Sequence, residues 1–211
     1  KIYQDKIFDN IWIQPAAGDA GGSLGAALAY YYSKNLKRNI DETDSMKNSY
    51  LGPNYLALDV EKELNLHTDK INFKYYDNDK DFYNKVIEDI LKEYCIGWFQ
   101  GRMEYGPRAL GNRSIIADPR PKNMQSKINL KIKFREGFRP FAPMILESEV
   151  NKWFNYRDHS KYMLMVSSIR NEIKINQNEN FDKSIKNINS IIPATTHVDG
   201  SARIQTINKS N

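Results

Sequence analysis

The stretch from Gly101 to Ser114, Gly-Arg-Met-Glu-Tyr-Gly-Pro-Arg-Ala-Leu-Gly-Asn-Arg-Ser, restricts the fold more than any other feature of the chain. Its three glycines and one proline break both helical and strand periods, so it has to be a shaped loop between regular elements. Arg102, Arg108 and Arg113 stand in it at intervals of six and five. Arginine presents a planar fork that matches phosphate or carboxylate oxygens two at a time. Two such charges ~6 Å apart repel by about 3 kcal/mol at an effective dielectric of ~20, a cost that a bound polyphosphate reverses. The plainer alternative is a solvated loop whose arginines spread into water. The glycine and proline placement favours the shaped one.

Charge is confined to the same region. From Arg102 to Arg139, six Arg and four Lys face three acids (Glu104, Asp118 and Glu136), a local +7 in a chain whose net charge is +5. The rest of the chain is therefore slightly acidic, which points to a site for anions rather than a generally cationic surface. Lys131–Pro143 adds cations interleaved with aromatic residues, and taken alone it would equally suit an RNA-binding stripe.

The remaining organisation is that of a soluble α/β chain, with 40% hydrophobic and 27% charged residues. Ile11–Gln14 reads as a strand, Pro15–Gly22 as a glycine-rich turn, and Ser23–Ser33 as a helix small-sided enough to pack closely. Residues 34–48 are linker-like, and Tyr50–Pro53 opens a second unit. Helical spacing of Phe82, Val86, Ile90 and Leu91 predicts a helix over Asp79–Tyr94, followed by a buried strand, Cys95–Gln100. A short strand at Arg113–Ala117, a helix at Lys122–Lys131, strands at Phe141–Leu146 and Tyr162–Ser168, and a short helix at Glu147–Phe154 follow. Residues 170–190 read as an exposed insertion, and 202–207 as a last strand. No apolar run approaches the ~18 residues of a membrane helix, and with no charged-then-apolar stretch at the first residues, export is not expected. The single cysteine, Cys95, is expected in the core and suits a reducing cytoplasm. Both ends are expected to be cut from something longer.

These residues carry a family resemblance. Gly101–Arg120, Lys133–Pro143 and Pro193–Thr206 resemble the C-terminal region of the O-carbamoyltransferases of nodulation-factor and antibiotic biosynthesis, and Pro15–Leu28 resembles the end of that family's preceding catalytic domain. The matches keep the family's order and are weakest at 34–48, 56–94 and 155–190. The resemblance implies an α/β architecture: a YrdC-like twisted mixed sheet with flanking helices over 49–211, truncated at its C-terminus, preceded over 1–48 by the tail of an actin/Hsp70-like domain. It implies that carbamoyl phosphate and ATP are turned into carbamoyl-adenylate, from which the missing N-terminal domain transfers the carbamoyl group to a hydroxyl of a saccharide or natural-product acceptor. It also implies a divalent metal, iron before magnesium or manganese. By match to the family's motifs, Arg108, Arg113, Lys133, Arg139 and Arg203 are the expected anion and nucleotide ligands, with Arg102 as a weaker addition. Lys133, Arg108 and His197 are the residues expected at the chemistry.

Several of these assignments have structural alternatives. Asp19 corresponds to the family's metal-binding aspartate, but an aspartate ahead of a helix is commonly its N-cap. The family's His-x-x-x-His ligand pair does not occur, since the histidines are His67, His159 and His197. The family's Asn-Thr-Ser-Phe-Asn stretch does not follow Ile207 either. His197 is as readily a structural histidine steadying the Asp199–Gly200 turn as an acid/base group. Trp153 and Phe154, with Val150, read as a packed helix face. Two rival functions remain: a threonylcarbamoyl-adenylate synthase of tRNA modification, disfavoured by the fused Pro15–Leu28 segment, and a non-catalytic RNA-binding module, with nucleic acid the less expected partner. The chain alone is expected to bind nucleotide without completing transfer.

Overall fold

Local sequence signals set the elements, and one strand gathers them. The computed structural model describes residues 2–34, 37, 44–175 and 190–208. In chain order these hold α1 (Asp19–Lys34), α2 (Ala57–Asn65), α3 (Asp79–Leu91), β1 (Ile96–Phe99), β2 (Arg113–Ile116), α4 (Met124–Lys131), β3 (Met144–Leu146), α5 (Val150–Trp153), β4 (Met165–Ser168) and β5 (Ser201–Ile207). Short 3-10 turns lie at Lys47–Ser49, Glu147–Glu149, Asn171–Ile173 and Pro193–Thr195. The α3 start follows the capping rule: the Asn78 side chain accepts from the Asp81 N–H at 2.9 Å, and Asp79 and Asp81 place negative charge in the first turn.

Two small sheets form a mixed α/β fold. β1 and β2 make an antiparallel hairpin, Ile96 opposite Ile116 and Phe99 opposite Arg113. The Gly101–Asn112 segment is the excursion between these two strands. The second sheet has the order β3-β5-β4, with β3 parallel and β4 antiparallel to β5. β5 is central because both its faces are covered: Ala202, Ile204 and Thr206 point one way into the interior, and Arg203 and Gln205 point the other. Ala202 and Ile204 pack with Val150, Phe154, Ile169, Ile173 and Ile192, and Trp153 lies against this cluster, so the α5 aromatics are core residues. A second cluster joins Met124 and Ile128 of α4 to Ala194, with Cys95 and Phe141 against it. The Cys95 thiol is half-buried there, 3.7 Å from the Met124 sulfur.

Four expectations need correction. Ile11–Gln14 is not a strand: Trp12 is 76% exposed and no ladder partner stands beside the segment among the described residues. An isolated extended run leaves its backbone groups to water, so β propensity alone does not make a strand. α1 does not pack closely along its small-sided face; it has no buried residue, and the close contact comes just before it, where Ala16 is fully buried. β1 alternates between half-buried and exposed residues instead of being buried throughout, because only one face of the hairpin meets α3. Leu91 at the end of α3 is likewise exposed. Finally, the 170–190 segment is not wholly exposed: Ile173 and Ser190 are buried, because Ile173 joins the β5 cluster and Lys174 bridges to Ser190. Residues 176–189 lie outside the described residues. α2 carried no sequence expectation. No helix among the described residues is long and apolar enough to cross a membrane.

Candidate anion site

The loop between β1 and β2 is built around a carboxylate. Glu104 is buried, and its Oε1 accepts the backbone N–H groups of Leu110 and Asn112 at 2.8 Å each and of Arg113 at 3.1 Å. Burial alone would raise the Glu104 pKa, but the converging backbone donors outweigh it and hold the carboxyl below its usual value. Three amides aimed at one oxygen require a sharply folded backbone. The glycines supply it: Gly101, Gly106 and Gly111 have φ of +49°, +116° and +118°. At Gly106 a Cβ would also come within 3.1 Å of the Ala16 Cβ, so the loop closes onto the N-terminal segment there. Tyr105 continues that contact through its hydroxyl, which meets the Ala20 carbonyl and the Ser23 hydroxyl.

This scaffold treats the arginines differently. Arg113 turns back into the hairpin, donating to the carbonyls of Gln100 (2.6 Å), Asn112 (2.9 Å) and Gly101 (3.2 Å), and its guanidinium lies 3.5 Å from the centre of the Phe99 ring. Arg102 donates to the Gly52 carbonyl at 3.0 Å. Arg120 grips Asp118, whose carboxyl is held below the usual carboxylate range by the Arg120 side-chain hydrogen bonds first and then by its backbone N–H and charge. Arg139 pairs with Glu136 at 2.9 Å on the surface, and Lys133 is exposed. Arg108 and Arg203 differ from all of these. The Nε of each is buried and has no hydrogen-bond partner.

The fold brings this pair together from opposite ends of the unit. Arg203 shares its face of β5 with Gln205, whose side-chain amide donates to the Leu110 carbonyl at 2.8 Å, two residues past Arg108. Burial, and then the positive charges of Arg108 and Arg135, pull Arg203 below the usual arginine pKa. Two half-buried guanidiniums, each with a buried Nε whose hydrogen bond is unmade and neither paired with an acid among the described residues, favour an anion beside them. His197 lies close enough to feel Arg203. Its Nδ1 is 2.9 Å from the Ser201 hydroxyl, and its backbone N–H donates to the Ser201 carbonyl at 2.7 Å. Burial first, then Arg203, lower its pKa against the opposing pull of Asp199.

Asp19 opens α1 with an exposed carboxylate, and no basic side chain among the described residues pairs with it. No group of three or more His, Cys, Asp or Glu that could hold a metal gathers among the described residues. The described residues of this chain therefore do not fit a metal site by themselves, and Asp19 is a single carboxylate. In the sequence Arg135 and Glu104 stand only as charges, and nothing local marks Asn129 or Gln205. A lone acid inside an Arg–Gly loop was the one local signal for Glu104.

In this mixed α/β unit a glycine-shaped loop and a central strand each contribute a half-buried arginine whose buried Nε has no partner, a setting that suits a small anion. Residues 87–211 match the family described as "Carbamoyltransferase C-terminus", and the chain belongs to that family. An uncharacterized protein of Synechocystis is 47% identical over 214 residues, covering 98% of this chain and 34% of its own length. Nodulation protein NolNO of Sinorhizobium fredii is 40% identical, covering 99% of this chain and 28% of its own length. Nodulation protein NolO of Bradyrhizobium diazoefficiens is 36% identical, covering 99% and 35%. The chain thus spans about a third of the length of these relatives.

Proposed function

We propose that this chain is the carbamoyl-activating part of an O-carbamoyltransferase, in which Arg108 and Arg203 hold the phosphate groups of carbamoyl phosphate and ATP. The observation that carries the reading is the pair of buried, unpartnered Nε groups, joined to membership of the carbamoyltransferase family. In this reading residues 49–211 form a YrdC-like domain, and residues 1–48 are the tail of an actin/Hsp70-like transfer domain. Atoms balance when carbamoyl phosphate loses phosphate to water, the resulting carbamate attacks the α-phosphorus of ATP, and pyrophosphate leaves. An acceptor hydroxyl, on a saccharide or a natural product, then takes the carbamoyl group and AMP departs.

The two guanidiniums neutralise the phosphates and place their donors where charge accumulates on the oxygens, without reorganising at the moment of reaction. Lys133 adds a mobile cation. Arg102, Arg113 and Arg139 join the ligand by exchanging their present acceptors for its oxygens. His197, held neutral and oriented by Ser201, is the proton donor or acceptor beside the carbamoyl group. A divalent metal, iron before magnesium or manganese, would take Asp19 as one ligand and the rest from outside this chain. The step it assists lies outside the chain too.

Calorimetric titration of the chain with ATP, with carbamoyl phosphate and with a short RNA tests the reading. Saturable binding of the two phosphorylated ligands, lost in Arg108→Gln, is the expected result. RNA binding that falls steeply with salt and is indifferent to ATP would sink it in favour of a nucleic-acid module.

A further inference from the structure

Arg135 stands close enough for its positive charge to bear on Arg203, and its setting is unusual. Asn129 on α4 is fully buried, a costly place for an amide unless every group is used. All of it is used. Its Oδ1 accepts from Arg135 Nε at 2.7 Å, and its Nδ2 donates to the carbonyls of Arg139 (2.7 Å) and Gly137 (3.3 Å). The Asn129 backbone carbonyl accepts the Arg135 N–H at 3.0 Å. One buried side chain thus fixes the arm that follows α4. The Phe141 ring centre lies 5.1 Å from the Arg135 guanidinium and limits its swing.

The hold is selective. Nε is occupied, while the two terminal nitrogens of Arg135 have no hydrogen-bond partner among the described residues. A guanidinium tethered by Nε and open at both terminal nitrogens presents the fork that takes two oxygens of one phosphate. The arm also arrives beside the right strand. Phe141 N–H donates to the Ala194 carbonyl, Gln205 N–H donates to the Pro143 carbonyl, and β3 pairs in parallel with β5 from Met144 opposite Gln205. Gln205 is the residue that joins β5 to the Arg108 loop.

We propose that Arg135 is a third guanidinium ligand of the Arg108–Arg203 site, positioned by Asn129, and that the site is therefore built for a multiply charged phosphate or phosphoanhydride rather than a carboxylate monoanion. The inference rests on the reading of that site given above.

The test is calorimetric titration of the chain with inorganic pyrophosphate and with acetate at low ionic strength. Wild type, Arg108→Gln, Arg135→Gln, Arg135→Lys and Asn129→Ser are compared. Arg135→Gln, whose amide nitrogen stands where Nε stood and can still donate to Asn129 Oδ1, should weaken pyrophosphate binding about tenfold or more with little change in the ligand-free melting temperature. Arg135→Lys should recover only part of the affinity, because a point charge lacks the fork. Asn129→Ser should also lose affinity, but the double variant with Arg135→Gln should be no worse than Arg135→Gln alone. A purely structural Asn129 would give additive losses and overturn the positioning role. Should Asn129→Ser not fold, the two Arg135 variants decide the ligand role by themselves. Unchanged pyrophosphate affinity in Arg135→Gln with loss in Arg108→Gln overturns this inference and leaves the site. Unchanged affinity in both overturns the site itself, and acetate binding as tight as pyrophosphate overturns the charge selectivity.

Discussion

The side-chain amide of Gln205 donates to the backbone carbonyl of Leu110 at 2.8 Å, with both residues buried and 95 positions apart in sequence. The Tyr50 hydroxyl donates to the same carbonyl at 3.0 Å. This junction locks the Arg108 loop onto the strand that carries Arg203. Gln205→Leu keeps the volume and removes one of the two donors to that carbonyl, at a cost of about 0.5–1.5 kcal/mol. Urea unfolding should report that loss, and phosphate affinity should fall with it because the two guanidiniums are no longer held in register. A Gln205→Leu chain that binds phosphate as well as wild type would show that the junction is structural only.

Glu104 links the loop to pH. Its folded pKa lies below the ordinary 4.5, so the unfolded chain takes up the proton first as pH falls. Its contribution is complete above about 4.5 and is lost as pH drops through the lower folded value. Glu104→Gln should cost about 1–3 kcal/mol at neutral pH, the difference between charge-assisted and neutral hydrogen bonds. The gap between variant and wild type should then narrow below pH 4, as followed by denaturant midpoints across a pH series.

Arg203 sets binding against stability. It is half-buried, with its Nε unpartnered, beside the like charges of Arg108 and Arg135, so Arg203→Gln should not lower the ligand-free melting temperature and is expected to raise it. The same change should abolish ligand protection. At a pyrophosphate concentration about a hundredfold above Kd, wild type should gain about 5–10 °C by scanning fluorimetry and the variant almost nothing. A variant that is less stable without ligand and equally protected with it would contradict the assignment.

His197 predicts a second, milder pH response. Its folded pKa is below the ordinary 6.5 because burial, and then Arg203, disfavour its charge. The unfolded chain therefore protonates first on acidification, so stability is full above about 6.5 and declines as pH falls toward the folded value. Urea midpoints at pH 7.5 and 5.5 should differ in wild type and differ less in His197→Gln. An imidazole that titrates by NMR at or above 6.5 would refute the prediction.

The sequence by itself determined the elements and the neighbourhood of the site. Glycine and proline spacing made 101–114 a shaped loop, and apolar spacing placed α3. Charge counting put the anion-seeking region between Arg102 and Arg139. These are local properties, because periodicity, caps and turn residues act over a few positions. Tertiary structure decided which cations remain free. Arg108 and Arg113 look alike in the chain, yet hairpin carbonyls occupy Arg113 while Arg108 keeps a buried, unpartnered Nε. Arg203 was legible from the family motif, but its setting beside Arg108 depends on Gln205 reaching Leu110. Nothing in its own segment distinguishes Arg135 from its neighbouring cations; a buried amide on the preceding helix does. Ile11–Gln14 has strand composition and no ladder beside it. A residue's type and spacing fix what it can do, but its partner is chosen by whichever distant segment the packing brings alongside.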